Sequence, residues 1–406
     1  MRYLILLNRR FPYKYGEAFL ENEIDEISKF FDRIIIFPSD MTPNDPITRK
    51  IKSPNVSTVV FENQSLRFRK MQYVFMGLPL IRFGSGKKVK QCLFDAYFNA
   101  ACKSQYKKIA KILDEYHFGK EDEVILYSYW LYISAKVAID LKQRYKEVTN
   151  IKCVSRAHAF DIYENKRYLP EREYILSGLD GIYPCSDNGT NYLQEKYPLH
   201  RGKIKTSYLG TYDKGIAQQM KSDTFSIVSC SRIAPEKRLE LIIDSLELLK
   251  DCGVSLEWTH FGGGDTFEGI KKRAEEKLGF MKVNLKGSVL NLEILKSYEN
   301  RYYNMFINTS SSEGLPVSIM EACSFGIPVI ATDVGGTSEI VLDGTVGFLL
   351  EANPSPQTVA NAILKMIQMD PEAYAVMRKN ARTHWEENFE AKKNYREFSE
   401  QLLAHK

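Results

Sequence analysis

The chain has 406 residues and a mass of 46.8 kDa, a length typical of two or three domains. It is 44% hydrophobic and 26% charged, with a formal net charge of +5 and an isoelectric point near 8.6. This composition excludes collagen-like, low-complexity and wholly disordered chains, and so small a net charge indicates no particular partner by itself.

Short β-branched segments alternate with stretches of helical periodicity in the first half of the chain. Segment 18–31 carries apolar residues at helical spacing and predicts a helix. Segment 210–222 loses this periodicity and predicts a linker. The predicted strands before it are 3–7, 33–37, 58–61, 124–127, 151–155, 181–185 and 204–209.

A second alternating series follows the linker. Its predicted strands are 225–230, 256–261, 283–286, 305–308, 329–331 and 347–350. Helices are predicted at 239–249 and 293–303, and the chain closes with helices at 375–388 and 392–403. Such alternation is typical of parallel sheets with helices on both faces. We therefore predict two doubly wound α/β domains, which bind ligands beyond the carboxyl ends of their strands.

The cysteines and the apolar runs indicate the compartment. The run at 3–7 is too short for a signal-peptide core and is followed by Arg9 and Arg10. No 18 consecutive residues are apolar, so no membrane span is predicted. The seven cysteines show no paired spacing, which is typical of reduced thiols. These features predict a cytoplasmic protein.

A first candidate site lies where the strand at 225–230 ends. Arg232 and Lys237 flank the turn there, in the sequence SCSRIAPEKR. Together with the N-terminus of the next helix, two cations at a turn suit a diphosphate. A solvated loop with two surface cations explains this stretch equally well.

A second candidate site lies in the sequence TSSSEGLPVSIME, residues 309–321. Pro316 and the serines before it predict a helix that begins near Leu315 and whose N–H groups can receive an anion. Glu313 then lies just before the N-terminus of this helix, and Glu321 lies more than one turn into it. Ionised carboxylates at these places suit sugar hydroxyls, although a capping glutamate and a salt-bridged helical glutamate fit as well.

Two glycine-rich turns also follow predicted strands. The sequence HFGGGD contains Gly263, and the sequence DVGG contains Gly335 with Glu339 just beyond it. Glycines allow a backbone to approach a ligand closely, but each turn taken alone is more readily explained as structural.

In combination, these motifs resemble the retaining glycosyltransferases of family 4. The matching stretches are Ser-Arg-Ile-x-Pro-Glu-Lys, Glu-Gly-Leu-Pro with a second glutamate eight residues after the first, Gly-Ile-Pro-Val-Ile-Ala-Thr and Gly-Gly-x-x-Glu, all within 225–350. The resemblance implies the GT-B architecture of two facing Rossmann-like domains, with C-terminal helices that cross back to the first. We expect an acceptor-binding domain at 1–215, a nucleotide-sugar-binding domain at 216–380 and a returning helix at 381–406.

The resemblance also implies residue roles. Arg232 and Lys237 would neutralise the leaving diphosphate, Glu313 would bind the donor sugar and Glu321 the ribose. His158, in Arg-Ala-His-Ala-Phe-Asp, would lie across the cleft by the donor sugar. A lone histidine after a strand is also often a structural hydrogen-bonding group. The further substrate-binding positions are Gly16, Asp161, Gly263, Gly314, Leu315, Pro316, Gly335 and Glu339.

No metal and no resident cofactor is predicted, because the chain contains no Asp-x-Asp and its histidines lack metal-ligand spacing. The expected partners are a nucleotide-sugar donor, which is a co-substrate, and a glycan or polyprenyl-linked acceptor of capsule, O-antigen or exopolysaccharide synthesis. Three alternatives are a nucleotide-sugar epimerase of the same fold, a non-catalytic sugar-binding relative, and a dehydrogenase. The dehydrogenase is disfavoured because no GxGxxG follows either first strand.

The small net charge is unevenly distributed. Segment 66–111 contains 11 Lys or Arg and one acid, so the rest of the chain is acidic on balance. Aromatic and aliphatic residues are interleaved with these cations, as in segments that lie on anionic membranes. We predict peripheral contact with the inner face of the plasma membrane and no nucleic-acid partner, since no recognition motif accompanies the charge. A solvated helix packed on the first domain is the alternative.

Overall fold

The computed structural model describes residues 1–14, 16–17, 19–61, 65–82, 87–147, 149–216 and 223–404. The chain divides into two compact units. Unit 1 comprises Met1–Tyr208 together with Lys392–Lys406, and unit 2 comprises Leu209–Ala391. The division therefore falls at 208/209 and 391/392, whereas the sequence predicts borders at 215/216 and 380/381.

Unit 1 contains a parallel sheet of six strands in the order β3-β2-β1-β4-β5-β6. This is the doubly wound order, in which the direction of winding reverses between β1 and β4. The elements are β1 (Arg2–Asn8), α1 (Leu20–Ile27), β2 (Arg33–Pro38), β3 (Val56–Thr58), α2 (Leu66–Gly77), α3 (Val89–Leu113), β4 (Glu123–Ser128), α4 (Ile133–Tyr145), β5 (Asn150–Ala157), α5 (Ala159–Ile162), α6 (Arg172–Gly178), β6 (Gly181–Pro184) and α7 (Asp187–Lys196).

Unit 2 repeats this plan with the strand order β12-β11-β10-β7-β8-β9 and the reversal between β7 and β10. The elements are β7 (Phe225–Cys230), α8 (Leu239–Glu247), β8 (Leu256–Phe261), α9 (Phe267–Lys277), β9 (Lys282–Leu285), α10 (Asn291–Asn300), β10 (Met305–Asn308), α11 (Val317–Ser324), β11 (Val329–Thr332), α12 (Thr337–Ile340), β12 (Gly347–Leu350), α13 (Pro356–Ile367) and α14 (Pro371–Asn388).

The last helix, α15 (Ala391–Leu403), carries the chain back into unit 1. Its Phe398 and Leu402 are fully buried in a core with strands β1, β2 and β4. Arg156 of β5 lies 4.1 Å from the Phe398 ring and forms a buried ion pair with Glu23 of α1, Nε to Oε2 at 3.0 Å. The helix thus covers a charged pair inside unit 1.

Short 3-10 turns supplement the helices in the described part of the chain. They are Ser28–Phe30, Leu78–Leu80, Asp114–Tyr116, Pro198–Lys203 and Pro235–Lys237. In the described ranges, none of the helices combines the length and the apolarity needed to cross a bilayer.

Two of the strands predicted in the first half of the chain need correction. The strand predicted at 58–61 lies earlier, at Val56–Thr58, because Val56 and Thr58 are the residues that pair with β2. The strand predicted at 204–209 is reduced to one bridge between Ile182 and Ile204. The hydroxyl of Tyr208 donates a hydrogen bond to Asp187. Of the predicted linker, residues 217–222 lie outside the described residues, as does Ala18 of the predicted first helix.

Candidate active site

The centre of the candidate site in unit 2 is an ion pair at the point where the sheet reverses its winding. Lys237 follows β7 and Glu313 follows β10, and their side chains meet with Nζ to Oε1 at 2.6 Å. Both side chains are mostly buried. Asn308 at the end of β10 donates a second hydrogen bond to Glu313 Oε1, at 3.2 Å. The structure thus brings together two of the predicted catalytic residues at the usual ligand site of this fold.

Arg238 holds the two loops of this site together. Its guanidinium donates from Nε to the Thr309 carbonyl at 2.5 Å and from Nη2 to the carbonyls of Ser310 and Ala352 at 2.9 and 2.8 Å. The residue adopts a left-handed backbone with φ of 49°. The sequence does not single out Arg238, because its partners come from loops more than 70 residues away.

Arg232, predicted to act beside Lys237, points outward. Its Nη2 contacts Glu236 Oε1 at 2.9 Å, and 73% of the side chain is exposed. The structure therefore does not join Arg232 to the Lys237–Glu313 pair. An exposed arginine with a surface partner can reorient toward an anion at low cost, because such pairs contribute little.

Glu321 lies in the second turn of α11 and is almost fully buried. Burial raises the pKa of its carboxyl to about 7, and Asn291, which donates to Oε1 at 2.8 Å, lowers it only in part. A carboxyl in such surroundings is well placed to accept hydrogen bonds from hydroxyl groups that replace water.

The helix that carries Glu321 begins at Val317, not near Leu315 as predicted. Pro316 is its N-cap residue, and no side chain caps it. The serines are used elsewhere: Ser311 N–H donates to the Glu236 carbonyl at 2.8 Å, and Ser310 N–H donates to Asn308 at 2.9 Å. Gly314, Leu315 and Pro316 therefore form the connection into α11 and precede its first turn.

The glycines of HFGGGD make room for neighbouring backbone. A Cβ on Gly262 would lie 1.8 Å from the Ser231 carbonyl oxygen, and one on Gly264 would lie 2.2 Å from that of Ile233. A Cβ on Gly263 would meet the Ser288 hydroxyl at 2.5 Å, while the Gly263 carbonyl accepts the Ile233 N–H at 2.8 Å. These contacts fix the loop that carries Arg232 against β8.

The second glycine turn packs on the loop of Glu313. Gly335 has φ of 61°, and a Cβ there would lie 2.2 Å from the Glu313 carbonyl oxygen. Gly336 N–H donates to the Gly314 carbonyl at 2.7 Å. Glu339 follows in α12, and its carbonyl bonds His384. The turn thus packs against the backbone of Glu313 and Gly314 and supports the position of Glu313.

Unit 1 has a corresponding carboxylate where its own sheet reverses. Glu17, in the loop after β1, accepts the backbone N–H groups of Arg9, Arg10 and Phe11 at 2.7–2.9 Å. Trp130, which follows β4, donates its indole N–H to Glu17 Oε1 at 2.5 Å. The sequence predicts no role for either residue, because they are 113 positions apart.

His158 is buried at the end of β5 and immediately precedes α5. Its ring lies 4.8 Å from Tyr129 and 4.9 Å from Trp130, centroid to centroid. Burial, with the charge of Arg156 as a smaller cause, lowers the pKa of His158 to about 3, so the imidazole is neutral at physiological pH. Among the described residues, its Nε2 atom has no hydrogen-bond partner.

Asp161 and Gly16 shape the loops of unit 1. Asp161 is fully buried, and its two carboxylate oxygens accept the N–H groups of His158 and Leu131, both at 2.7 Å. Burial raises the pKa of Asp161 to about 7. A Cβ on Gly16 would meet Arg10 Cδ at 2.8 Å, and the Gly16 carbonyl accepts Arg49 at 3.0 Å. Asp161 is thus placed to position His158, in contrast to the substrate contact predicted for it.

Comparison with known families agrees with this geometry. The family model described as glycosyl transferases group 1 matches residues 215–384, which include all the unit 2 residues discussed above. Residues 215–384 are a glycosyl transferases group 1 domain. This group 1 domain coincides closely with unit 2.

Curated relatives of the chain are bacterial glycosyltransferases. It is 26% identical over 257 residues to the putative colanic acid biosynthesis glycosyltransferase WcaL of Escherichia coli, covering 61% of this chain and 63% of that protein. It is 25% identical over 299 residues to a poly(glycerol-phosphate) alpha-glucosyltransferase of Bacillus subtilis, covering 66% and 43%. The chain therefore spans less than two thirds of the length of these relatives.

Solved structures match the fold over all or nearly all of the chain. A glycosyltransferase from Rickettsia africae has a TM-score of 0.69 at 17% identity, with 100% of both chains covered. Anabaena Alr3699/HepE, solved in complex with UDP and glucose, has a TM-score of 0.67 at 16% identity, with 99% of both covered. The fold is accordingly of the GT-B class, as predicted from the sequence.

Proposed function

We propose that the protein is a retaining glycosyltransferase. It moves a sugar from a nucleotide-sugar donor to a glycan or lipid-linked acceptor of cell-surface polysaccharide synthesis. A UDP-sugar is the donor that we favour. The observation that carries the proposal is the Lys237–Glu313 pair at the winding reversal of the group 1 domain. The names of the curated relatives, which include colanic acid and O-antigen glycosyltransferases, support the acceptor class.

In this proposal the diphosphate of the donor binds at Lys237. An ammonium has three donors, so Lys237 can keep Glu313 and still bind a phosphate oxygen. Arg232 then turns from Glu236 to the same diphosphate. Fixed cations at the leaving group stabilise the charge that develops in the transition state, and removing one costs about 10²–10³-fold in rate.

The carboxylates bind hydroxyl groups of the donor. Glu313, held by Lys237 and Asn308, accepts hydrogen bonds from the sugar, and Glu321 accepts them from the ribose. The acceptor attacks on the face from which the diphosphate leaves, and the phosphate takes its proton. We propose that unit 2 binds the donor and that unit 1 binds the acceptor.

The neutral His158 serves as a hydrogen-bonding group for the donor sugar in this proposal. Its Nε2 atom lacks a partner among the described residues, and Asp161 fixes the backbone beside it. A neutral imidazole can supply one donor or one acceptor at that atom without placing a positive charge near the reacting carbon. No metal is required, so we expect EDTA to leave the rate unchanged.

The experiment is a screen of UDP-, GDP- and ADP-sugars by thermal shift and by donor hydrolysis. We expect a UDP-sugar to raise the melting temperature and to be turned over. Lys237→Gln is expected to lower turnover by about 10²-fold or more. Lys272→Gln removes the same charge from an exposed pair with Glu276 on α9 and is the matched control.

The outcomes separate the alternatives. An epimerised nucleotide sugar in the absence of acceptor would identify an epimerase. Donor binding without any turnover would identify a non-catalytic relative. If no nucleotide sugar binds, and Lys237→Gln behaves like Lys272→Gln, the proposal is wrong.

The proposal places the protein on the cytoplasmic surface of the membrane, through α2. The outward side chains of this helix are large and apolar: Phe68, Met71, Val74 and Phe75 are all exposed, Phe75 to 64%. Segment 65–82 contains four Lys or Arg and no acid. Apolar side chains that face water beside cations are typical of helices that lie on anionic lipid.

Sedimentation with liposomes tests this membrane contact. We expect the protein to pellet with phosphatidylglycerol vesicles at low salt and to be released at high salt. Met71→Ser with Phe75→Ser is expected to abolish pelleting, whereas Leu199→Ser, at a side chain 92% exposed elsewhere in unit 1, leaves it intact. Equal pelleting with neutral vesicles would contradict the membrane contact.

A further inference from the structure

A cavity of about 660 Å³ lies in unit 1 beside the first turns of α3. Its apolar lining comes from three parts of the chain: Leu93, Phe94 and Tyr97 on α3, Tyr132 before α4, and Phe160 with Tyr168 around α5. Leu93, Phe94 and Phe160 are each exposed to solvent by more than a third. Such a concentration of exposed apolar surface on one concave site is typical of a ligand pocket.

The aromatic wall of the cavity is built from ring contacts. Phe94 is stacked on Tyr97 with centroids 6.4 Å apart and lies 6.2 Å from Tyr168. Phe160 meets Tyr132 edge-on at 6.5 Å. The hydroxyl of Tyr168 donates to Asp95, which also binds Lys87. Side chains fixed in this way form a preformed surface for an apolar ligand.

Positive charge surrounds the cavity. Lys88, Lys90 and Arg167 line it, and none of the three forms an ion pair with another described residue. The Arg167 guanidinium lies 3.6 Å from the centroid of the Phe160 ring, so it is held at the aromatic wall. Cations without an acidic partner among the described residues, at the edge of an apolar cavity, suit an anionic group attached to an apolar one.

The lining does not suit a bare sugar. No carboxylate lines the cavity in the described part of the chain, and its one amide, Gln91, uses Oε1 to accept the Lys88 N–H at 2.9 Å. Sugar hydroxyls need acceptors as well as donors, and this lining offers few acceptors. An apolar chain that ends in phosphate matches both the aromatic wall and the cations.

The geometry points to this cavity as the site for a lipid-linked acceptor, an apolar chain carrying a phosphate or diphosphate, with the chain against Phe94 and Phe160 and the phosphate at Lys88, Lys90 and Arg167. The inference rests on the proposed transferase function. It selects a phosphorylated lipid over a plain glycan and locates the acceptor site at this cavity of unit 1.

The cavity adjoins the predicted catalytic histidine. Phe160, which lines it, is two residues after His158 in the chain. The Trp130 ring lies 6.1 Å from Phe160 and 4.9 Å from His158. The Phe160 wall of the cavity is thus connected to His158 through the Trp130 ring.

Calorimetric titration of the full chain with four soluble probes tests the inference. The probes are farnesyl diphosphate, inorganic diphosphate, octyl glucoside and dihexanoyl phosphatidylglycerol, each below its micelle concentration. We expect farnesyl diphosphate to bind about tenfold or more tightly than each of the others, because it alone combines an isoprenoid chain with a diphosphate.

A pair of double variants locates the binding. Lys90→Gln with Arg167→Gln is expected to weaken farnesyl diphosphate binding by about tenfold or more. Lys107→Gln with Lys111→Gln removes the same charge from exposed positions farther along α3 and is expected to leave it unchanged. Equal loss in both double variants would overturn the inference, since diffuse charge would then explain the binding.

The other probes give the remaining outcomes. If octyl glucoside or inorganic diphosphate binds as tightly as farnesyl diphosphate, the site is not selective for a phosphorylated chain and the inference fails. If dihexanoyl phosphatidylglycerol binds as tightly, the cavity is a bilayer-lipid site and the acceptor assignment fails.

UDP binding, measured on the same samples, separates this inference from the proposed function. If UDP binds and farnesyl diphosphate does not, the acceptor site is wrong while the transferase proposal stands. If farnesyl diphosphate binds at the cations and no nucleotide sugar is bound, the transferase proposal fails and the cavity is a lipid-phosphate site of another kind.

Discussion

Glu321 is a buried carboxyl in the candidate donor site. Its carboxyl has a pKa of about 7 in the folded chain, because it is buried, against an ordinary value of 4.5. The folded state therefore keeps a proton that the unfolded chain releases. The contribution of Glu321 to the free energy of unfolding is greatest below about pH 4.5 and is lost as the pH rises through 7.

The substitution Glu321→Gln tests this linkage. The amide keeps the hydrogen bond from Asn291 but cannot ionise, so the variant is expected to gain up to ~3 kcal/mol relative to the parent between pH 5 and pH 8. Urea unfolding at the two pH values measures the difference. Glu293→Gln, at an exposed position on α10, should show no such gain. A difference that does not change with pH would mean that Glu321 is ionised throughout.

His158 gives a second test at a single residue. Its pKa of about 3, lowered by burial, means that the imidazole stays neutral from pH 8 down to pH 4. Nitrogen-15 NMR of the labelled protein is expected to show one neutral tautomer of His158 over this range. A His158 signal that titrates between pH 5 and pH 7 would rule out the neutral role proposed for it.

At this scale the sequence predicts the residues that sit in motifs and misses those defined by distant partners. The meeting of Glu313 with Lys237 could be anticipated, because both follow strands that flank a winding reversal. Glu17 could not, because its role depends on Trp130, and Arg238 could not, because it acts through carbonyl groups of other loops. Arg232 shows the converse: the motif is present, but the side chain is turned to Glu236.

Among the elements, the loop of Glu313 depends on the turn between β11 and α12. Gly335→Ala would place a Cβ against the Glu313 carbonyl in a left-handed backbone. We expect the variant to lose at least ~2 kcal/mol of stability and to lose donor hydrolysis as Glu313 is displaced. Gly344→Ala is the matched control, because its φ is 71° but a Cβ there meets nothing within 4 Å.

The two variants are compared by urea unfolding and by hydrolysis of the donor. Gly344→Ala should cost only the backbone strain, ~1–2 kcal/mol, with full activity. If Gly335→Ala retains full activity as well, the turn does not position Glu313.

The strands around this turn are predicted well from the sequence, since β10, β11 and β12 are short buried runs. The start of α11 is not, because Ser311 binds the loop after β7 and Ser310 binds Asn308, so neither caps the helix.

For the molecule as a whole, α15 is a structural part of unit 1. Phe398 is fully buried against Arg156, Tyr127 and Tyr183. Phe398→Ala is expected to destabilise unit 1 by ~3–5 kcal/mol, because it opens a cavity over a buried ion pair. Glu397→Ala, exposed on the same helix, should be within about 0.5 kcal/mol of the parent.

Hydrogen exchange read by mass spectrometry measures where the stability is lost. Faster exchange is expected in β1, β4 and β5, with β7 and β10 unchanged. Faster exchange confined to unit 2 would contradict the assignment of α15 to unit 1. The basic segment 66–111 comprises α2 and most of α3, and the first turns of α3 line the cavity.

The return of α15 also sets the order in which the two units can be finished while the chain is being made. Unit 2 is continuous in sequence and can close as soon as Ala391 has left the ribosome. Unit 1 begins before unit 2 in the chain but lacks Phe398 and Leu402 until unit 2 has been synthesised. The nascent chain therefore holds an incomplete first unit, with its buried charges uncovered, throughout the synthesis of the second. Of the two units, the one that begins first in the chain is completed second.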